Sequence, residues 1–277
     1  WRPMSSPTAD EKIGPTAHYT AYVWHRLGFP NAHVFVTPLG RTLFWSFRFA
    51  GEGLMTWVPS VPSMTQYLEY RHRAFESVVE DGEPDVVVEL GAGLSRRGVT
   101  WASRGVRYVE IDLPHMVAQK QRILQDRGGR ALREAIAGKL EHVSIDILAE
   151  DFPDALARLI GDAERPLVIT EGVLGYFEKE RRARLVRSVC EALDGRGTFV
   201  GELRVRQGPS LADAAVRALR GGIRLVTAGR GSGEDPATHQ EARAFFVGTG
   251  FSDVEPIEPS RFAHLAHIPF PARVWVC

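Results

Sequence analysis

The sequence predicts an α/β protein: a doubly wound, mostly parallel sheet of about seven strands, capped by helices. Three observations carry this expectation. From residue 85 onward, short β-branched runs alternate with stretches of helical periodicity, the rhythm of parallel strands joined by crossover helices. The first run ends in Glu89-Leu90-Gly91-Ala92-Gly93, a glycine turn at a strand tip. The second ends in Glu110-Ile111-Asp112, roughly twenty residues on, which puts an acid at the neighbouring tip. Together these describe a Rossmann-like arrangement.

Each element has its own signal. Residues 1–60 read as irregular and aromatic-rich, with Tyr19, Tyr22, Trp24, Phe44, Trp45 and Phe49, and with a helix over about 16–27. Ser63 and Gln66 form a capping-box pattern. It opens a helix carrying Met64, Leu68, Phe75, Val78 and Val79 on one face, closed near Asp81-Gly82. Residues 85–90, between Pro84 and Gly91, read as a buried strand. A short helix over 99–104 and a second strand over 106–111 follow. Pro114 suits a first helical position, and Met116, Val117, Lys120 and Leu124 continue that helix. Strands are expected over 140–145, 166–170 and 198–203, with helices over 152–160 and 178–193 between them. In the latter, Leu185, Val189 and Leu193 share one row. A helix opened by Ser210 and Asp213 comes next, then a glycine-rich loop (Gly229, Gly231, Gly233) and a helix opened by Thr238 and Glu241. Two strands, 254–257 and 273–276, complete the sheet.

The organisation expected is one structural unit: residues 1–80 as an N-terminal cap and gating helix, 81–277 as the ligand-binding core, and 204–236 as a lid insertion. A chain of 277 residues is long enough for a single large core of this kind. Lys plus Arg and Asp plus Glu both number 34, so no net charge draws the chain to nucleic acid or an anionic membrane. No apolar run approaches the ~20 residues a membrane span needs, and the first residues lack a signal-peptide pattern. With two cysteines, Cys190 and Cys277, a disulfide framework is not expected, and the reading is cytoplasmic. No metal site is expected.

The strand tips point to a nucleoside ligand. Glycine at 91 and 93 allows a tight turn and lets a ligand approach backbone N–H groups that a Cβ would screen. A carboxylate at the end of the second strand can accept both ribose hydroxyls. A dinucleotide fingerprint would also need glycine at position 96, where the chain has Arg96. That weakens the case for NAD, whereas S-adenosylmethionine (SAM) carries no phosphate and tolerates an arginine there.

Taken together, Arg71-His72-Arg73, Glu89-Leu90-Gly91-Ala92-Gly93, Tyr108-Val109-Glu110-Ile111-Asp112-Leu113-Pro114, Asp146-Ile147 and Thr170-Glu171-Gly172-Val173-Leu174-Gly175-Tyr176 resemble the leucine carboxyl methyltransferase-like family, which includes tetracenomycin-type O-methyltransferases of polyketide synthesis. The resemblance covers about residues 66–203. It implies a class I SAM-dependent methyltransferase in which Gly91 and Gly93 line the methionine portion of SAM. Asp112, with Glu110 nearby, would hold the ribose. Asp146 would address the adenine amino group with Ile147 packed beside it, and Glu171 would face the amino-acid portion. Arg71, with Arg73 as second choice, would pair the carboxylate of SAM. Tyr176 would stand on the substrate side as the catalytic candidate. Glu89, Ala92, Leu113 and Gly172 enter the cofactor site as members of the same motifs. The chain departs from the family at Arg96-Arg97, where better known members carry an acid and small polar residues.

The expected reaction moves a methyl group to a carboxylate or hydroxyl of a small-molecule acceptor, polyketide-like in one version. A carboxylate, with a pKa near ~4, needs no base, whereas a hydroxyl does. The nine histidines do not single out a base. The alternatives are a protein carboxyl-terminal methyltransferase and an NAD-dependent oxidoreductase. A base-amino methyltransferase would end the fourth strand in an Asp/Asn-Pro-Pro-aromatic segment, and this chain has Thr170-Glu171-Gly172-Val173. The oligomeric state is not encoded in any feature found.

Overall fold

A computed structural model describes residues 14–49, 62–205, 235–270 and 272–277. Its sheet has seven strands in the order β3-β2-β1-β4-β5-β7-β6. These are β1 (Val86–Leu90), β2 (Arg107–Asp112), β3 (Leu140–Ser144), β4 (Pro166–Thr170), β5 (Thr198–Arg204), β6 (Glu255–Ile257) and β7 (Ala272–Val276). β3, β2, β1, β4 and β5 pair in parallel, and β7 runs antiparallel between β5 and β6. The chain winds outward from β1 to β3 and then returns to place β4 on the other side of β1. That reversal opens a crevice at the carboxyl tips of β1 and β4, where α/β sheets bind ligands.

The helices are α1 (Gly14–Arg26), α2 (Pro38–Phe47), α3 (Met64–Gly82), α4 (Arg97–Ala102), α5 (Pro114–Arg127), α6 (Gly129–Ile136), α7 (Phe152–Ile160), α8 (Lys179–Leu193) and α9 (His239–Val247). They cover both faces. Val87, Ile169, Val200 and Val274 pack against α1, α3, α4 and α5 through Trp24, Tyr70, Phe75, Val99 and Met116. On the opposite face Val88, Leu90, Val168 and Phe199 pack against α7, α8 and α9 through Leu156, Leu185, Val189 and Phe246. Each such side chain contributes about 1.5–3 kcal/mol by leaving water. Strands covered on both faces explain the apolar runs at 86–88 in β1 and 166–169 in β4, and they leave Glu89 as an acid inside the core.

The capping box forms as the pattern predicts: the Gln66 N–H donates to Ser63 Oγ at 3.2 Å and the Ser63 N–H to Gln66 Oε1 at 2.9 Å. Two helices differ from expectation. α2 lies in the stretch read as irregular, although Thr37 caps it through a bond from the Gly40 N–H at 3.1 Å and Pro38 occupies its first turn. Its aromatic residues mask the helical period because Phe44 packs into a local cluster with Tyr19, Tyr22, Val23 and Leu68. α6 follows Gly128 and buries Ile136. The helix opened by Ser210 and the loop of Gly229, Gly231 and Gly233 lie outside the described residues. Among the described residues no helix is long and apolar enough to cross a membrane, and Cys190 and Cys277 are free.

Candidate functional site

The turn after β1 is lashed to β2. Gly91 (φ 67°) and Gly93 (φ 52°) both occupy the left-handed region that favours glycine. The N–H groups of Gly91 and Ala92 donate to the Ile111 carbonyl at 2.7 and 3.3 Å. A Cβ at position 91 would lie 2.5 Å from Val173 Cγ2, so only glycine passes beneath the loop after β4. At the tip of β2, half-buried Asp112 accepts the Gly93 N–H on Oδ2 at 2.6 Å and the Leu113 N–H on Oδ1 at 2.7 Å. Burial raises its pKa and these two donors pull it back down. Each oxygen keeps a further lone pair, which is the capacity a pair of ribose hydroxyls requires.

At the tip of β4 a second cluster assembles. Glu171 accepts from Arg71 Nε at 3.0 Å and lies 3.1 Å from His72 Nδ1, while Arg97 reaches its Oε2. The guanidinium and imidazole groups around it hold the Glu171 carboxyl well below the ordinary range despite burial. Arg71 is also 3.3 Å from Glu202, and its guanidinium lies flat against Gly172, where a Cβ would meet Nη1 at 3.3 Å. Glu202 in turn accepts the Tyr67 hydroxyl at 3.0 Å. Arg71 therefore stands beside the β1–β4 crevice with its Nε edge fixed by two acids.

Arg97 and Arg96, the departure from the family pattern, turn out to be the organising cations. Both are fully buried. Arg97 joins Glu89, at 2.5 Å, to Glu171, so one guanidinium bridges the acids of β1 and β4. Tyr108 donates to the other Glu89 oxygen at 2.6 Å. Arg96 pairs with Glu76 and donates to His72 Nε2 at 3.2 Å. That bond makes His72 Nε2 an acceptor, while Nδ1 lies 3.1 Å from Glu171 Oε2 and 3.0 Å from Arg97 Nη2. Burial between Trp24 and Phe29 lowers the His72 pKa to about 4. The unfolded chain takes up this proton between about pH 6.5 and 4 and the folded chain does not. Acidification through that window should therefore destabilise the wild type relative to His72→Gln, on the order of 1 kcal/mol per pH unit. Urea titrations at several pH values measure the difference, and parallel pH dependences would refute a neutral buried His72.

The remaining candidates fall in three places. Arg73 turns away from the crevice: it pairs with Glu69 at 2.9 Å and covers Phe29, because two residues along a helix point to different faces. Glu110 and Glu89 are sealed inside. Glu110 lies 2.6 Å from Lys120 and 3.3 Å from His142, so its charge is answered within the core and it does not share the open edge of Asp112. Asp146 is exposed after β3, where its Oδ1 accepts the Leu148 N–H at 2.9 Å and closes a turn; Ile147 packs against the core. Tyr176 follows β4 in a 3-10 turn. Its hydroxyl pKa is raised by burial and lowered by a hydrogen bond with Thr16 of α1, and it senses the charges of Arg71, Glu202 and Asp112. Tyr176 is thus within electrostatic reach of Asp112 at the tip of β2 and Glu202 of β5. Lys120, Tyr67, Thr16, Arg97 and Glu202 were not singled out from sequence. Only the Arg96-Arg97 pair beside the glycine turn offered a signal. No group of three or more metal-ligating side chains occurs among the described residues.

Residues 30–190 match the family model described as leucine carboxyl methyltransferase. A candidate S-adenosyl-L-methionine-dependent methyltransferase of Frankia alni is 35% identical over 150 residues, covering 49% of this chain and 50% of that protein. The match thus spans about half the length of this curated relative. Among solved structures, a candidate methyltransferase from Thermobifida fusca YX superposes with a TM-score of 0.59 at 15% identity, covering 100% of this chain and 97% of that one. A candidate O-methyltransferase from Nostoc punctiforme PCC 73102 gives 0.50 at 14% identity, covering 92% and 71%. At these identities the likeness is one of fold.

Proposed function

The chain belongs to the leucine carboxyl methyltransferase family, and from that premise we propose that it is a SAM-dependent O-methyltransferase acting on a carboxylate or hydroxyl of a small molecule. The observation that carries this reading is Asp112: an acid at the second strand tip, held by the glycine-turn N–H at 2.6 Å yet left partly open. The donor and acceptor set fits a nucleoside with an amino-acid tail. Asp112 would take the ribose hydroxyls, Gly91 and Gly93 would let the tail approach the backbone, and Arg71 would face its carboxylate. Glu171 would sit beside the ammonium, and Asp146 with Ile147 would border the adenine. Glu89 and Glu110 would act from beneath, by fixing Arg97 and Lys120.

SAM, when bound, supplies a methyl group already activated by the sulfonium charge, so the protein's task is alignment in a dry, polar site. Tyr176, bonded to Thr16, would hold the substrate side closed, with α1 to α3 as the cover over the strand tips. Two free thiols, Cys190 and Cys277, support a reducing compartment, hence the cytoplasm.

Calorimetric titration with SAM and with NADH tests the cofactor. SAM should bind and NADH should not, and the reverse result would end the proposal. A panel of phenols, alcohols and carboxylic acids with methyl-labelled SAM then identifies the acceptor class. Labelling of a protein C-terminus alone would replace the small-molecule reading.

A further inference from the structure

Glu202 is an acid that shares its nearest cation with another acid: Arg71 Nε lies 3.3 Å from Glu202 and 3.0 Å from Glu171. It follows Gly201, the sheet partner of Thr170, so its carboxyl stands beside Glu171 at the carboxyl edge. Oε1 accepts the Tyr67 hydroxyl at 3.0 Å. Oε2 is buried and receives no hydrogen bond among the described residues. Arg71 Nε lies 3.3 Å from it, but that N–H already donates to Glu171 at 3.0 Å. The neighbouring charges otherwise match: Arg96 with Glu76, Arg97 with Glu89, and Arg71 with Glu171. Among the described residues of this cluster, Arg71, Arg96 and Arg97 thus face four acids, Glu76, Glu89, Glu171 and Glu202. Among the described residues of β7, Val274 lies opposite Glu202 and Arg273 is engaged with Glu258. A buried carboxylate in excess over the cations around it favours its protonated form, and burial together with the Glu171 charge pushes the Glu202 pKa up, against the pull of Arg71 and Tyr67.

We propose that Glu202 is the charge-compensating acid of the site. It holds a proton on Oε2 while the site contains no cationic ligand, and it releases that proton to solvent when a sulfonium enters. The inference rests on the SAM reading.

The test compares SAM with S-adenosylhomocysteine, which has the same amino-acid tail and no sulfonium charge. Each is titrated calorimetrically into the full chain between about pH 5 and 7, above the ordinary carboxyl range, in buffers of different ionisation enthalpy. Binding of SAM should release up to about one more proton than binding of S-adenosylhomocysteine, and the excess should fade as pH rises and Glu202 ionises in the free protein. Glu202→Gln should bind both ligands with no excess. Equal proton counts for the two ligands in the wild type at every pH, or an excess that persists in Glu202→Gln, would overturn the assignment. The wild-type comparison stands even if the variant fails to fold. Failure of both ligands to bind would instead remove the cofactor reading, and this inference with it.

Discussion

Replacing Arg97 with methionine should destabilise the chain by about 3–5 kcal/mol, the range for removing one partner of a buried ion pair. Arg97 is fully buried and is the cation that joins Glu89 to Glu171. Its loss leaves Glu89 with the Tyr108 hydroxyl alone and Glu171 with Arg71 and His72, both acids remaining away from water. Lysine should rescue only part of the loss, since a single ammonium cannot serve two carboxylates with the geometry of a forked guanidinium. Urea unfolding measures the effect, with the exposed Arg122→Met as a control expected within about 0.5 kcal/mol of wild type. An Arg97→Met midpoint equal to wild type would show that the network contributes nothing to folding.

Asp112→Ala should weaken SAM binding by roughly ten- to a hundredfold, the equivalent of ~1.5–3 kcal/mol for hydrogen bonds to a charged group. Two losses add. The ribose would lose its acceptor, and the Gly93 and Leu113 N–H groups would lose the carboxylate that fixes the turn. Asp112→Asn separates charge from shape: its amide keeps one acceptor oxygen, but its NH2 must face one of those two N–H donors. Affinity should therefore fall between wild type and alanine. Calorimetric titration measures all three, and an alanine variant that binds SAM as tightly as wild type would remove Asp112 from the site.

The parallel sheet was legible because its signals are local. A strand buried on both faces must be apolar throughout, so β1 and β4 stand out as β-branched runs, and a turn that needs positive φ must use Gly91 and Gly93. The acid at Asp112 is likewise announced by its place at the end of a strand. The weaker readings share one cause. α2 was missed because its side chains obey a local aromatic cluster and not a clean helical period. Arg73 was ranked beside Arg71 because adjacent arginines look alike in a sequence, and only the helix phase separates the one facing Glu171 from the one facing Glu69.

The chain by itself thus determined the sheet, the glycine turn, the acid at the second strand tip and the family resemblance, all properties of short segments whose residue types are dictated by backbone conformation or burial. Tertiary structure alone decided how charges pair. That Glu89 and Glu110 are satisfied from within, that Arg97 spans two strand tips and that Glu202 shares Arg71 with Glu171 depend on side chains brought together across 8 to 131 positions of sequence. Electrostatic partnership is set by distance in space and exclusion of water, and neither is written in the order of residues.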